Sequence, residues 1–326
     1  MYASLTVTHM GNGKARLGSE TIRALSAAIS PGGLRGVAIE SAWLAAHTAL
    51  YPWGVVAQRL RPEGPYIHYR TDSLAPTQRG LMVSATQLSG SQLDTPILLI
   101  HGIGDNRSVF TVLSAALRRR GFGVVHAVNY SVLTAVRGDI GQAALSFGRQ
   151  VEHVCEQTGA ERVHVVGHSL GGLIARYYVQ CCGGDGRVDT LVTLGTPHRG
   201  TVAAYLLPTR LAGQLRPGSA LLAELDQPAT GCRTRFVSVW SEMDQIVIPQ
   251  SNARLDHPDL TIEEYRLRDV GHLALPVNPT VSRLVLDAFI RLDCPRQPTQ
   301  TAEHAVDELC DHTVTWRYNT TSELSL

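Results

Sequence analysis

From Pro96 onwards, short and wholly apolar segments alternate along the chain with longer segments whose apolar residues recur every three or four positions. Short runs of Val, Ile and Leu are typical of strands buried on both faces, whereas the longer pattern is typical of amphipathic helices. The alternation predicts a mostly parallel central sheet with helices on both faces. The predicted strands lie at 97–101, 122–128, 162–166, 190–194, 235–240 and 262–268, and the predicted helices at about 108–120, 139–158, 170–182 and 280–292.

The same pattern divides the chain into three parts. Residues 96–293 form the predicted α/β domain, residues 1–95 an N-terminal extension, and residues 294–326 a polar tail that we expect to be loosely ordered. Within the domain, residues 199–232 are too many for a plain connection between two strands and are rich in Leu, Ala and Pro. They predict an inserted helical flap, and the alternative is an ordinary helical crossover packed on the sheet.

One hydrophobic segment, near residues 36–60, stands out in the N-terminal extension. Glu40, His47 and Pro52 interrupt its apolar run, which falls short of the about 20 residues that a membrane-spanning helix requires. It favours a buried or surface-lying helix, and whether it contacts a membrane stays open. Because no basic start followed by an apolar stretch is present, we expect a cytoplasmic or peripherally membrane-associated protein, with secretion as the alternative.

The composition argues against several kinds of partner. The formal net charge at pH 7 is +1, so we expect no nucleic-acid partner. The six cysteines show no CxxC or other metal-ligand spacing, so we expect no metal site. The sequence leaves the oligomeric state and any disulfide pairing open.

The sequence GHSLGG, residues 167–172, lies where a predicted strand meets a predicted helix. A G-x-S-x-G pattern in this context is typical of a nucleophile elbow. The serine occupies a strained turn, and the flanking glycines avoid collisions with the neighbouring backbone. Ser169 is therefore the predicted nucleophile, held at the positive end of the following helix.

A serine that attacks an acyl group needs preorganised donors for the oxyanion. The first residue of the predicted helix, Leu170, supplies one backbone N–H group. The loop after the first predicted strand, "ILLIHGIGDN", supplies the second from Ile103. The preceding His101 and Gly102 are expected to shape that loop, with His101 as a structural residue rather than the general base.

The general base is sought late in the chain, because the order in such folds is serine, acid, histidine. His272, in "RDVGHLAL", comes just after the last predicted strand and is the choice. His168 adjoins the serine, with its side chain expected to point the wrong way. His198, with Pro197 in the segment "LGTPHRGT", is expected to line the pocket, and His257 lies in a polar loop.

The acid is expected in the loop "SEMDQIVIP", after the strand "RFVSVW". Asp244 is the choice, because the apolar run 246–249 that follows it can anchor the loop and bury the carboxylate against the imidazole. Glu242 is the alternative in the same loop, and Asp256 and Asp269 are weaker alternatives.

The stretch from about Pro96 to Asp293 resembles the α/β-hydrolase triacylglycerol lipases and esterases of bacteria, especially those of actinobacterial type. The matching segments are, in the family's order, "LLIHGIGDN", "VVGHSLGGLIARYY", "LVTLGTPHRGT", "VWSEMDQIVIP" and "VGHLALP". The resemblance implies an α/β-hydrolase fold, the triad Ser169, Asp244 and His272, and oxyanion donors at Ile103 and Leu170. The N-terminal extension and the tail lie outside it.

These residues predict a serine hydrolase that cleaves carboxylic esters, lipid esters above all, through an acyl-enzyme intermediate. The mechanism requires no metal or organic cofactor. The apolar flap favours a lipase or carboxylesterase with a hydrophobic substrate. An acyltransferase or thioesterase with the same triad is the first alternative, and a non-catalytic binding protein of this fold is the second.

Overall fold

The computed structural model describes residues 94–103, 105, 107–128 and 139–290. The helix predicted near 36–60 and the predicted polar tail lie outside these residues. Among the described residues, no helix combines the length and apolar character needed to cross a membrane.

In the described part of the chain, six strands form one sheet in which every neighbouring pair is parallel. Their order across the sheet is β2-β1-β3-β4-β5-β6. The predicted parallel sheet is therefore confirmed. The strands are β1 (Ile97–Ile100), β2 (Val125–Val128), β3 (Val163–His168), β4 (Val188–Leu194), β5 (Arg235–Ser241) and β6 (Thr261–Leu267).

Helices cover both faces of this sheet and build two apolar cores. Alternate residues of a strand point to opposite faces: Leu98 and Ile100 pack into one core with α2 and α3, whereas Ile97 and Leu99 pack into the other with α1 and α6. The helices are α1 (Thr111–Arg119), α2 (Ile140–Thr158), α3 (Leu170–Cys181), α4 (Arg210–Gln214), α5 (Ala220–Leu225) and α6 (Pro279–Phe289).

Local signals in the sequence set the bounds of α2. The Asp139 side chain accepts a hydrogen bond of 2.7 Å from the N–H of Gly141, which caps the first turn. The helix ends before Gly159, whose φ of 73° lies in the left-handed region that glycine adopts without strain. The long helix predicted from residue 139 therefore begins after Asp139 and ends before Gly159, at signals in its own sequence.

The segment 199–232 combines packed helices with an exposed turn. Leu211, Leu222 and Leu225, on α4 and α5, are buried in the core beside α3. Between β4 and α4, the side chains of residues 205–207 remain exposed. The helical content of this segment agrees with the sequence pattern, and a flap role stays a prediction.

Candidate active site

The turn between β3 and α3 holds Ser169 in an unusual backbone conformation. Its φ is 53° and its ψ −123°, and it is the only described non-glycine residue with a positive φ. Such angles are strained for a residue with a side chain. The Ser169 N–H donates to the carbonyl of Leu194 at 2.8 Å, which ties the turn to β4. The side chain makes no capping hydrogen bond to α3, so its hydroxyl is not used to stabilise the helix.

The glycines around Ser169 are required by close backbone packing. A Cβ atom at Gly167 would lie 2.6 Å from the N atom of Gly172, and one at Gly171 would lie 2.6 Å from the carbonyl oxygen of His101. Both distances are too short for carbon, so a side chain at either position would displace backbone. The turn therefore fits only a sequence with glycine on both sides of the serine.

Asp244 lies in the loop after β5 and is fully buried. Its Oδ1 accepts hydrogen bonds from the N–H groups of Ile246 at 2.9 Å and Val247 at 2.8 Å. Gln250 Nε2 donates to its main-chain carbonyl at 2.8 Å. These contacts leave Oδ2 as the carboxylate oxygen that faces the neighbouring loop.

Asp244 Oδ2 lies 2.6 Å from Nδ1 of His272, in the loop after β6. Gly195 packs against this contact, because a Cβ atom there would lie 3.1 Å from both of these atoms and would press on them. Gly195 directly follows Leu194, whose carbonyl accepts the N–H of Ser169. The acid–imidazole pair therefore lies at the same edge of the sheet as the Ser169 turn.

The alternative acids are paired elsewhere or exposed. Glu242 forms an ion pair with Arg266 on the surface, and Asp256 forms one of 2.8 Å with Arg199. Asp269 is exposed. The structure thus brings Asp244, rather than these carboxylates, into contact with His272.

The alternative histidines also have other contacts. His257 Nε2 lies 3.0 Å from the carbonyl oxygen of Gln227. His198 is buried, and its Nε2 lies 3.0 Å from Oγ1 of Thr193. Burial, with smaller effects from Arg176 and Arg199, holds the pKa of His198 well below its usual range. His198 and the equally buried Pro197 belong to the packed interior of their loop.

The loop after β1 lies against the Ser169 turn. A Cβ atom at Gly102 would lie 2.9 Å from Cβ of Ser169, so glycine permits the close approach. His101 is buried, with Nδ1 2.9 Å from the Gly102 carbonyl oxygen, and burial lowers its pKa. Ile103 follows at the surface. Leu170 begins α3, where the first N–H groups lack an acceptor within the helix.

Thr201, which the sequence interpretation did not single out, connects the loop after β4 to the acid loop. Its hydroxyl donates to the Ile246 carbonyl at 2.7 Å and accepts from the Ile248 N–H at 3.0 Å. These partners lie 45 and 47 positions away in sequence. No local pattern indicates a contact of that kind.

Arg176 on α3 is a second residue that the sequence interpretation missed. Its guanidinium is buried and donates to the carbonyls of Leu225 at 3.0 Å and His198 at 3.4 Å. Burial lowers its pKa to about 10. The residue therefore links the helix after the serine to the end of α5 and to the loop after β4.

The described residues contain no group of three or more His, Cys, Asp or Glu side chains that could hold a metal ion. Cys155, Cys181, Cys182 and Cys232 are free thiols.

The sequence is similar to a known family and to two curated lipases over part of the chain. The family model for palmitoyl protein thioesterase matches residues 96–230. A triacylglycerol lipase from Pseudarthrobacter phenanthrenivorans is 30% identical over 112 residues, which cover 32% of this chain and 34% of the relative. A triacylglycerol lipase from Burkholderia plantarii is also 30% identical over 112 residues, with 32% and 30% covered. The chain thus spans about a third of the length of these curated relatives.

Similarity in structure extends further along the chain. The crystal structure of Aspergillus fumigatus lipase B aligns with a TM-score of 0.53 at 17% identity, covering 77% of this chain and 66% of the lipase. At this identity, the likeness concerns the fold. Together with the parallel six-stranded sheet and its covering helices, it assigns this chain to the α/β-hydrolase fold.

Proposed function

We propose that this protein is a serine hydrolase that cleaves carboxylic esters, with Ser169 as nucleophile, His272 as general base and Asp244 as the acid that orients it. The observation that carries the proposal is the buried 2.6 Å contact between Asp244 and His272, at the sheet edge where the strained Ser169 turn lies. A buried carboxylate fixes the imidazole tautomer and stabilises the imidazolium that forms during acyl transfer. The similarity to bacterial triacylglycerol lipases supports the same activity.

The reaction proceeds in two halves. His272 Nε2 takes the hydroxyl proton of Ser169 as the oxygen attacks the ester carbonyl carbon, and the tetrahedral intermediate forms. The imidazolium then donates this proton to the leaving oxygen, which departs as an alcohol and leaves an acylated serine. Water attacks the acyl-enzyme while His272 accepts its proton, and the carboxylic acid is released as the serine is regenerated.

We assign the oxyanion to the backbone N–H groups of Leu170 and Ile103. The position of Leu170 at the start of α3 supports this assignment, because a helix N-terminus directs N–H groups and a partial positive charge outward. The close approach of Gly102 to Ser169 supports the second donor, since Ile103 follows Gly102 directly. Donors of this kind are worth about 2.7–4 kcal/mol each in transition-state stabilisation.

A hydrophobic acyl group is the proposed substrate feature. Seven large apolar side chains are exposed in the described part of the chain, and five of them lie in loops that follow the carboxyl ends of β1, β4 and β5. Those five, Ile103, Tyr205, Leu206, Leu207 and Ile246, we call the apolar rim. In open parallel sheets, ligands bind outside the carboxyl ends of the strands. An apolar rim at that edge favours a lipid ester, and it gives the protein a surface for peripheral contact with lipid.

A thioesterase is the second candidate. The match of residues 96–230 to the palmitoyl protein thioesterase family favours it, since the same triad can attack a thioester carbonyl. An acyltransferase would differ only in the acceptor, with an alcohol replacing water.

The test compares Ser169→Ala with Ser282→Ala, a serine of α6 that is equally buried at 7% exposure. Purified variants are assayed on p-nitrophenyl esters from acetyl to palmitoyl, on emulsified triglyceride and on a palmitoyl thioester. We expect Ser169→Ala to abolish hydrolysis while its thermal unfolding is unchanged, and Ser282→Ala to retain activity. Hydrolysis by Ser169→Ala close to the wild-type rate would overturn the nucleophile assignment.

The substrate panel separates the candidate activities. Preference for long-chain esters and emulsified lipid identifies a lipase, preference for short soluble esters an esterase, and preference for the thioester a thioesterase. A rate that rises with added acceptor alcohols, with transfer products, identifies an acyltransferase.

A further inference from the structure

His168, the residue directly before Ser169, reaches the loop that carries the base. Its side chain is completely buried, and its Nε2 lies 3.1 Å from the main-chain carbonyl oxygen of His272. The rings of the two histidines lie 4.9 Å apart. The imidazole of His168 therefore points towards the loop that carries His272.

A second residue faces the other nitrogen of this imidazole. Asp105, in the loop after β1, is buried and places Oδ2 3.5 Å from Nδ1 of His168. Since a carbonyl oxygen only accepts hydrogen bonds, Nε2 must carry a proton to bond with His272. With Nε2 protonated, Nδ1 of a neutral His168 is an acceptor, so Asp105 bonds to it from a protonated carboxyl group. An ionised Asp105 pairs instead with a His168 that carries a proton on both nitrogens.

We propose that Asp105 and His168 form a positioning pair that holds the main chain of the catalytic base, so that His272 is fixed from both ends. Asp244 holds its ring through Nδ1, and His168 holds its carbonyl. The inference rests on the proposed function of Ser169 and His272. Asp105 and His168 touch no substrate atom and act through the position of His272.

The pair has a mechanical consequence for the nucleophile. His168 is the last residue of β3 and is joined to Ser169 by a peptide bond. The bond from His168 to His272 therefore ties the base to the same strand end as the serine, across 104 positions of sequence. A shift of about 1 Å between reacting groups can lower a rate by about 100-fold. The hydrogen bond from His168 therefore helps to keep His272 at the correct distance from Ser169.

The charges around His168 are compatible with this role. The titratable groups that face it are His101 and Asp105 from the loop after β1 and His272 from the loop after β6, and Asp244 faces His272 from the loop after β5. Burial lowers the pKa of His168, with Asp105 acting in the opposite direction. A neutral His168 places no second positive charge beside the imidazolium of His272.

The test is the pair of substitutions His168→Phe and His164→Phe, assayed in the full chain on a p-nitrophenyl ester. His164 is a buried histidine of the same strand, and its ring stacks on Phe289 instead. We expect His168→Phe to lower kcat by about 10–100-fold with little change in KM. Its acidic limb of kcat/KM should move to lower pH, because a loosely held imidazolium loses stabilisation by Asp244.

Two further variants complete the test. His168→Gln, which keeps a donor towards the His272 carbonyl, should recover most of kcat. Asp105→Ala should also lower kcat and move the acidic limb to lower pH, by less than His168→Phe. If His168→Phe does not fold, Asp105→Ala is the variant that tests the proposal. His164→Phe should keep the wild-type kcat and pH profile.

Equal kinetics of His168→Phe and His164→Phe, or an unmoved acidic limb in both His168→Phe and Asp105→Ala, would overturn the positioning role. Failure of the positioning role can be told apart from failure of the proposed function. If the proposed function were wrong, the wild-type protein would not hydrolyse the ester, or Ser169→Ala would still hydrolyse it.

Discussion

Asp244 and His272 meet through a 2.6 Å contact between a carboxylate oxygen and Nδ1, and both side chains are shielded from solvent. Two backbone N–H groups, from Ile246 and Val247, hold the other carboxylate oxygen. The carboxylate is therefore fixed before any substrate binds, and it can only accept hydrogen bonds in this position. The proposed orientation of His272 depends on that fixed acceptor.

Asp244→Asn is expected to lower kcat by about 10³–10⁴-fold while the protein stays folded, because an amide in this position favours the wrong imidazole tautomer. The matched control is Glu242→Gln in the same loop, where the Glu242 carboxylate forms a surface ion pair with Arg266. That control should stay within about twofold of wild type. Steady-state kinetics with a soluble ester measure both variants, and a large loss in Glu242→Gln alone would move the acid to Glu242.

The sequence was informative wherever a local pattern determines the structure. Strand positions followed from continuous apolar runs, and the glycines beside Ser169 indicated a turn into which no side chain fits. The choice of Asp244 over Glu242 followed from the apolar residues after Asp244, and in the structure Asp244 is buried whereas Glu242 forms an ion pair at the surface.

Contacts between distant loops had no such signal. The bond from His168 to the His272 carbonyl and the bond from Thr201 to the Ile246 carbonyl depend on how the sheet orders its strands. Strand order follows from packing across the whole domain, and no window of the sequence contains it. The packing of α4 and α5 on the core likewise depends on the fold of the whole domain, and a flap role for their segment stays a prediction.

Gly171→Ala tests the packing of the Ser169 turn. A Cβ atom there would lie 2.6 Å from the carbonyl oxygen of His101, so the backbone of the turn must shift. We expect a loss of about 3 kcal/mol or more in the free energy of unfolding, with a matching loss of activity. Gly213→Ala in α4 meets no atom within 4 Å and should be neutral or stabilising by up to about 1 kcal/mol. Urea unfolding of both variants measures the difference, and equal stabilities would contradict the packing argument.

The buried histidines should make the free energy of unfolding depend on pH. Burial lowers the pKa of His101, His168 and His198 in the folded protein, whereas an unfolded histidine titrates near about 6.5. Below that pH the unfolded chain binds more protons than the folded chain. Their stabilising contribution is therefore complete above pH 6.5 and is lost as the pH falls below it.

Each of these histidines contributes up to about 1.4 kcal/mol per pH unit in that range. His198→Gln should therefore reduce the loss of unfolding free energy between pH 7.5 and pH 5.5. Urea denaturation at the two pH values provides the measurement. A variant with the same pH dependence as wild type would show that His198 titrates alike in the folded and unfolded states.

If the apolar rim binds the acyl group, Leu206 should matter for the hydrolysis of long-chain substrates and not of short ones. This side chain is 82% exposed, so replacing it with serine removes little packing and should leave the stability within about 0.5 kcal/mol of wild type. Contact with a long acyl chain or a lipid surface would bury it, which is worth about 1.5–3 kcal/mol for a leucine. Leu206→Ser should accordingly lower kcat/KM for palmitoyl ester and emulsified triglyceride by about 10-fold or more, and leave acetyl ester hydrolysis unchanged.

Leu145→Ser, at an exposed leucine of α2 away from the carboxyl ends of the strands, should leave both activities at the wild-type level. If both serine variants lose long-chain activity equally, or neither loses any, the rim does not bind the acyl group.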